Sequence, residues 1–180
     1  MSRKEIEDYS GSVAYSALMT ELTTDSDRAA VILGAAEIEA RLQFLLIAVL
    51  RTNSDLRKDL FNFNGALGSL SARIKMCYAM RVIDRQLYKC LEDYRSLRND
   101  IVHNGKDVNL DSEIIREDLD NFLAPFRDSE WLCGRMYEFE HLNDTQRMFR
   151  YAIGHACITI EVATAKCADI PEEGISLRLG

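Results

Sequence analysis

Apolar residues recur along this 180-residue chain at i, i+3, i+4 spacing rather than in alternation, the period of amphipathic helices. A first helix is predicted over about Arg3–Leu22. Thr23-Thr24-Asp25-Ser26 then offers caps, and apolar positions continue from Ala29 to Leu50 with Glu37 and Arg41 as an i,i+4 pair. Apolar on most sides, this stretch is expected to be the central helix of a bundle. A short polar helix follows at Ser54–Phe61, and then the loop FNFNGALG. Ser69 reads as the N-cap of a helix to about Arg81. Asp84 caps the next, which runs to His103 and is stopped by Asn104-Gly105. Another helix starts at Asp111-Ser112 and ends before Pro125, and Arg127–Leu142 reads as irregular or weakly helical. Asp144 opens the last long helix, to about Ala168, with Phe149, Ile153, Ala156, Ile160, Ala163 and Cys167 on one stripe. Cys157–Thr164 is rich in β-branched residues and could be read as a strand, but the length and the stripe favour helix.

Composition narrows this to a fold class. With only two prolines and nine glycines, few positions can break a helix. No repeat, low-complexity tract or linker appears. The expectation is an all-α, single-domain bundle over residues 1–180, with six to seven helices. The chain is 47% hydrophobic with a net charge of −7 and a pI near 5.0. The apolar fraction excludes a disordered tail, and the charge excludes an isolated electrostatic clamp on nucleic acid. MSRKEIEDYSGS lacks the apolar run of an export signal. The longest apolar run, Phe44–Leu50, is far short of the ~20 residues that span a bilayer, so a cytoplasmic location without a membrane partner is expected. The five cysteines (Cys77, Cys90, Cys133, Cys157, Cys167) include no Cys-x-x-Cys pair and read as free thiols in a reducing compartment. His155 and Cys157 share a helix with Cys167 without finger-like spacing, so neither a metal nor a cofactor is expected.

Charge is unevenly distributed. Arg73–Lys106 holds eight Lys/Arg against four acids, a local balance of +4, so the rest of the chain carries −11. Such a segment suits an anionic partner and equally suits a solvated helix face. On the predicted Asp84–His103 helix, Leu87, Leu91, Tyr94, Arg98 and Ile101 fall within about 40° of one direction. Arg98 is thus aligned with the apolar stripe. A guanidinium there calls for pairing, for an interface, or for a function. The structural explanation is a buried pair with a carboxylate such as Glu37 or Glu39.

His103 follows Arg98 by five residues, about 500° around a continuing helix, so the two side chains would point about 140° apart. They converge only if the helix ends near Val102 or if a second protomer completes the site. An imidazole that passes protons and a guanidinium that holds a phosphate are the tools of metal-independent RNA cleavage. The base would activate the 2′-hydroxyl, and Arg98 would steady the developing charge. Spacing alone does not single this pair out, since Arg150 precedes His155 by five residues and Arg135 precedes His141 by six. Context does: Asn99, the helix end and the basic surroundings. His155 reads as a partly buried, hydrogen-bonded histidine and His141 as a surface loop residue.

The stretch GALGSLSARIKMCYAMRVIDRQ, followed by YRSLRNDIVHNG, resembles the mannitol-operon repressor family. There a Gly-x-Leu-Gly-Ser-like loop and an Ala-Arg-Ile-Lys helix precede an arginine-to-histidine helix end. The similarity covers about Asp27 to Leu119 and implies an all-α regulator without a recognisable DNA-reading motif, acting through partners. Arg98-Asn99-x-x-x-His103 also resembles the Arg-Asn-x-x-x-His motif of HEPN domains. These are small helical bundles, many of them dimeric metal-independent endoribonucleases and others inactive RNA binders. That resemblance implies a homodimer with Arg98 and His103 catalytic and Asn99 a polar helper. The two resemblances agree on fold and disagree on activity.

The GALGS turn offers a further candidate. The helix N-terminus at Ser69 could take an anion with help from Arg73 or Lys75, or Gly65 and Gly68 could simply let two helices pack closely. No P-loop, Gly-x-Ser-x-Gly elbow or His-Glu-x-x-His is present, Glu37 and Glu39 do not share a helix face, and Cys133 has no histidine at a diagnostic spacing. Two readings follow. One is a ribonuclease or RNA-binding domain using Arg98 and His103; the other is a non-catalytic regulator acting through a protein partner. Direct readout of duplex DNA is not expected, for want of a helix-turn-helix with a basic recognition helix.

Overall fold

A computed structural model describes residues 12–24, 26–50, 52–103 and 109–167. Its helices are α1 (Val13–Thr24), α2 (Asp27–Val49), α3 (Ser54–Phe61), α4 (Leu70–Ala79), α5 (Arg85–His103), α6 (Arg116–Leu123), α7 (Glu130–Cys133) and α8 (Asp144–Cys167). Single 3-10 turns at Glu113–Ile115 and Ala124–Phe126 flank α6. Among the described residues eight α-helices thus stand where six or seven are expected, the addition being the short α7 within the stretch read as irregular or weakly helical. The described residues contain no strand, and Cys157–Thr164 is helical. Positions 3–11 of the predicted first helix and the Asn104-Gly105 stop lie outside the described residues.

Side-chain caps set most of the starts. Ser26 Oγ accepts from Ala29 N (3.3 Å), Asn53 Oδ1 from Leu56 N (2.8 Å), Ser69 Oγ from Ala72 N (3.2 Å) and Asp84 Oδ1 from Leu87 N (2.8 Å). At α8 the cap is Asn143 rather than Asp144. Asn143 Oδ1 accepts from Gln146 N (2.8 Å) while Gln146 Oε1 accepts from Asn143 N (3.0 Å), a reciprocal capping box.

The α4 helix stops at Ala79, short of the expected Arg81, for a different reason. Arg81 takes φ 60°, its N–H donates to Tyr78 O (2.9 Å), and Val82 N donates to Cys77 O (3.1 Å). This is a Schellman ending with an arginine in the left-handed position that glycine usually fills.

The α2 helix is the axis of the bundle, packing against α8, α4, α5 and α1. Its Ile38, Leu42, Leu45 and Leu46 are fully buried. Gly34 lies at the crossing with α5 and α8, where a Cβ would come within 2.5 Å of Tyr94 Oη and 2.8 Å of Ile153. Tyr94 donates to Val31 O (2.7 Å) and packs with Phe122 and Phe149 at ring separations of 4.9 and 6.0 Å.

One polar centre ties α1, α2 and α8 together. Arg150, 1% exposed, donates from Nε to Leu22 O (2.7 Å), from Nη1 to Gln146 O (3.2 Å) and from Nη2 to Asp27 Oδ1 (3.1 Å). Asp27 also accepts from Gln146 Nε2 (3.0 and 3.2 Å) and from Leu110 N (3.3 Å). The acceptors come from α1, from α2 and from the preceding turn of α8 itself, so the buried pair is compensated.

Cys77, Cys90 and Cys157 are buried free thiols, Cys167 is half-buried and Cys133 exposed. Burial pushes the Cys77 and Cys157 thiols up to about 12, which leaves them unreactive at neutral pH. Among the described residues no helix is long and apolar enough to cross a membrane.

Candidate functional site

The Arg98–His103 segment forms the last two turns of α5. The helix buries Cys90, Leu91, Tyr94, Leu97 and Ile101, so the core stripe passes through Leu97, and Arg98 lies half-buried at its border. Its Nη1 donates to Asn99 Oδ1 (3.0 Å), while its Nε is buried with no hydrogen-bond partner. The carboxylate seal expected from Glu37 or Glu39 is absent. Glu37 pairs with Arg41, which also holds Glu161 at 2.7 Å, and Glu39 pairs with Arg73 at 3.3 Å.

The helix is described as far as His103, one residue past the Val102 end expected of it, and the Asn104-Gly105 stop lies outside the described residues. Arg98 and Asn99 meet, while His103 is exposed at the helix end. Its electrostatic neighbour is Asp100, whose carboxyl is pushed up by burial first and then by hydrogen bonding to and repulsion from Asp118, with His103 pulling it back. Asp93 is likewise pushed up by burial and by Asp118. His103 therefore stands beside one carboxylate that is itself hydrogen-bonded to a second, although the surrounding sequence segment is net basic. Arg28 fixes this end of the helix, its Nη1 donating to Ile101 O at 2.5 Å, one of the carbonyls that a helix end leaves unpaired.

At the GALGS loop, Arg73 faces inward. Nε donates to Leu67 O (2.8 Å), Nη1 to Glu39 O (3.1 Å) and Nη2 to Phe61 O (3.5 Å), with the guanidinium 5.5 Å from the Phe61 ring centre. Burial lowers its pKa against the pull of Glu39. A Cβ at Gly68 would lie 2.3 Å from Asn62 O, and one at Gly65 2.3 Å from Asp59 O. Both glycines let the chain pass against backbone, and Arg73 locks the loop by its carbonyls. Of the three anion candidates, Ser69 caps its own helix, Arg73 is committed internally, and Lys75 is exposed.

The other histidines have structural settings. His155 sits between Phe126 and Trp131, with ring centres at 5.6 and 5.3 Å. Its Nδ1 is buried without the hydrogen bond expected of it, and burial lowers its pKa. His141 is exposed, and its Nε2 lies 3.0 Å from Thr23 O.

Sequence reasoning missed the role of Arg150. The available signal was its place between Phe149 and Tyr151 on a strongly apolar helix.

An all-α bundle held by internally compensated arginines, with no strand among the described residues, is the class of protein that the fold defines. Residues 38–130 match the family model described as mannitol repressor, and the chain belongs to that family. The match overlaps most of the Asp27–Leu119 stretch that carries the resemblance and extends past it to Glu130. Two solved structures share the fold. One is the MtlR–HPr complex from Escherichia coli, at TM-score 0.64 and 19% identity over 83% of this chain and 99% of that one. The other is a possible transcriptional regulator, YggD, from Shigella flexneri, at TM-score 0.64 and 11% identity over 83% and 98%. No curated protein matches.

Proposed function

We propose that this chain is a non-catalytic regulator that works by docking a protein partner of the HPr kind. Membership of the mannitol repressor family supports a regulatory role, and the fold is that of a protein solved in complex with HPr. The observation that carries the choice against catalysis is the pair of carboxylates at the end of α5, where Asp100 stands beside His103 and is hydrogen-bonded to Asp118. Carboxylates beside the base repel the phosphate that a ribonuclease must seat there.

The test has two arms. Sedimentation of the chain with HPr from its own organism should give a complex, and incubation with single-stranded RNA in chelator should leave the RNA intact. RNA cut to 2′,3′-cyclic phosphate ends by the wild type and not by His103→Ala would overturn the proposal.

That outcome would establish the second reading, a ribonuclease using Arg98, Asn99 and His103 in a homodimer. One observation favours it: Arg98 Nη1 donates to Asn99 Oδ1, and Asn99 lies one helical turn before His103 on the same face.

A further inference from the structure

We infer that the elbow between α4 and α5 binds single-stranded nucleic acid, with Arg81, Arg85 and Lys75 on phosphates and Tyr78 as a stacking platform. The site is an open groove of about 720 Å³ lined by Tyr78, Arg81, Asp84 and Arg85 with Val82 and Ile83. It stands at the far end of the 19-residue α5 from His103, about 27 Å away along the helix axis.

Three observations converge. Eight of the described arginines sit in ion pairs with carboxylates, whereas Arg81, Arg85 and Lys75 have no such partner among the described residues and are exposed. Asp84, the acid in the groove, directs Oδ1 to the N-terminus of α5. Second, Arg81 occupies the left-handed position of the α4 ending at φ 60°, where glycine would be easier by about 1 kcal/mol. A long cation held at the position best suited to glycine, on the rim of a groove, points to a use for that cation. Third, Tyr78 is stacked on Tyr88, with ring centres 4.4 Å apart at 21°, yet remains 40% exposed and lines the groove. A two-ring stack with one ring open to solvent can extend by one base.

The combination selects a single strand. In a duplex the base faces are covered, so the cations find phosphates but Tyr78 finds no base to stack on. An acidic peptide would engage the cations and leave the ring face unused. Unstacked bases use both, as in sequence-tolerant single-strand sites. The elbow also accounts for part of the +4 segment, which the Arg98–His103 end of the helix does not use.

The experiment is fluorescence anisotropy with a labelled twelve-nucleotide single strand, its duplex, and a polyglutamate competitor at low salt. The single strand should bind at least about tenfold tighter than the duplex. Its log–log salt slope should be about −2, from about 0.7 per phosphate held by three cations. Arg85→Ala and Tyr78→Ala should each weaken binding about tenfold. Arg81→Gly separates function from folding, since it should keep or raise thermal stability while weakening binding about tenfold. No binding, equal binding of the duplex, or wild-type affinity in Arg81→Gly and Tyr78→Ala would each overturn the assignment. Displacement of the strand by equimolar polyglutamate would overturn it in favour of an acidic protein segment.

Discussion

Arg150 and Arg98 both interrupt apolar stretches of long helices, yet they meet opposite environments. Arg150 is sealed in the core because Leu22, Gln146 and Asp27 bring it acceptors from three segments. Arg98 stays at the border of the core with one side-chain acceptor and a bare Nε. A helix can present a guanidinium to the core, but its own carbonyls satisfy only part of it and the rest must come from other elements. The difference explains why one arginine is part of the framework and the other is available for contact.

The largest expected effect tests the framework side. Arg150→Met leaves Asp27 buried without its cation and should cost about 3–5 kcal/mol in urea denaturation. Adding Asp27→Asn should return part of that loss, because the stranded charge is gone; strict additivity of the two changes would break the account of a coupled pair. Next comes the loop that Arg73 holds. Gly68→Ala drives a Cβ against Asn62 O and should cost about 1–3 kcal/mol, with Arg73 losing its carbonyls as the loop shifts.

A smaller effect is expected at Arg98. Since no carboxylate seals it, Arg98→Met should stay within about 1 kcal/mol of the wild type, the scale of one hydrogen bond. A loss equal to that of Arg150→Met would erase the contrast between the two arginines. The smallest effect is a pH dependence. Burial lowers the pKa of His155, so below its ordinary value near 6.5 the unfolded chain takes up a proton that the folded chain refuses. Stability should therefore fall as pH drops from about 6.5 toward the lowered folded value. His155→Phe, which suits the slot between Phe126 and Trp131, should flatten that slope in denaturation midpoints measured between pH 7 and 5.5.

Much of the fold was legible because local signals set it. Asn53, Ser69 and Asp84 cap where short polar residues precede apolar periodicity, and Ser54–Phe61 lies where its pattern placed it. The end of α4 was not legible, because the usual glycine is replaced by Arg81 and the periodicity ran on past the stop. Of the candidate site, the neighbourhood of Arg98 and Asn99 could be read from one helix. The commitments of Glu37, Glu39 and Arg73 could not. They depend on Arg41, Glu161, Leu67 and Phe61, which only the packed bundle brings together. Local charge misled in the same way: the net basic segment sets Asp100 beside His103, and α6 brings Asp118 to that carboxylate.

The central claim is that this bundle works by holding a protein partner rather than by cutting RNA. Calorimetric titration of the purified chain with HPr from its own organism tests it most directly. The account predicts saturable binding with one HPr per chain, retained at wild-type strength in His103→Ala. The absence of any binding heat from the wild type at partner concentrations of about 100 μM, which corresponds to an affinity weaker than roughly −5.5 kcal/mol, would contradict it.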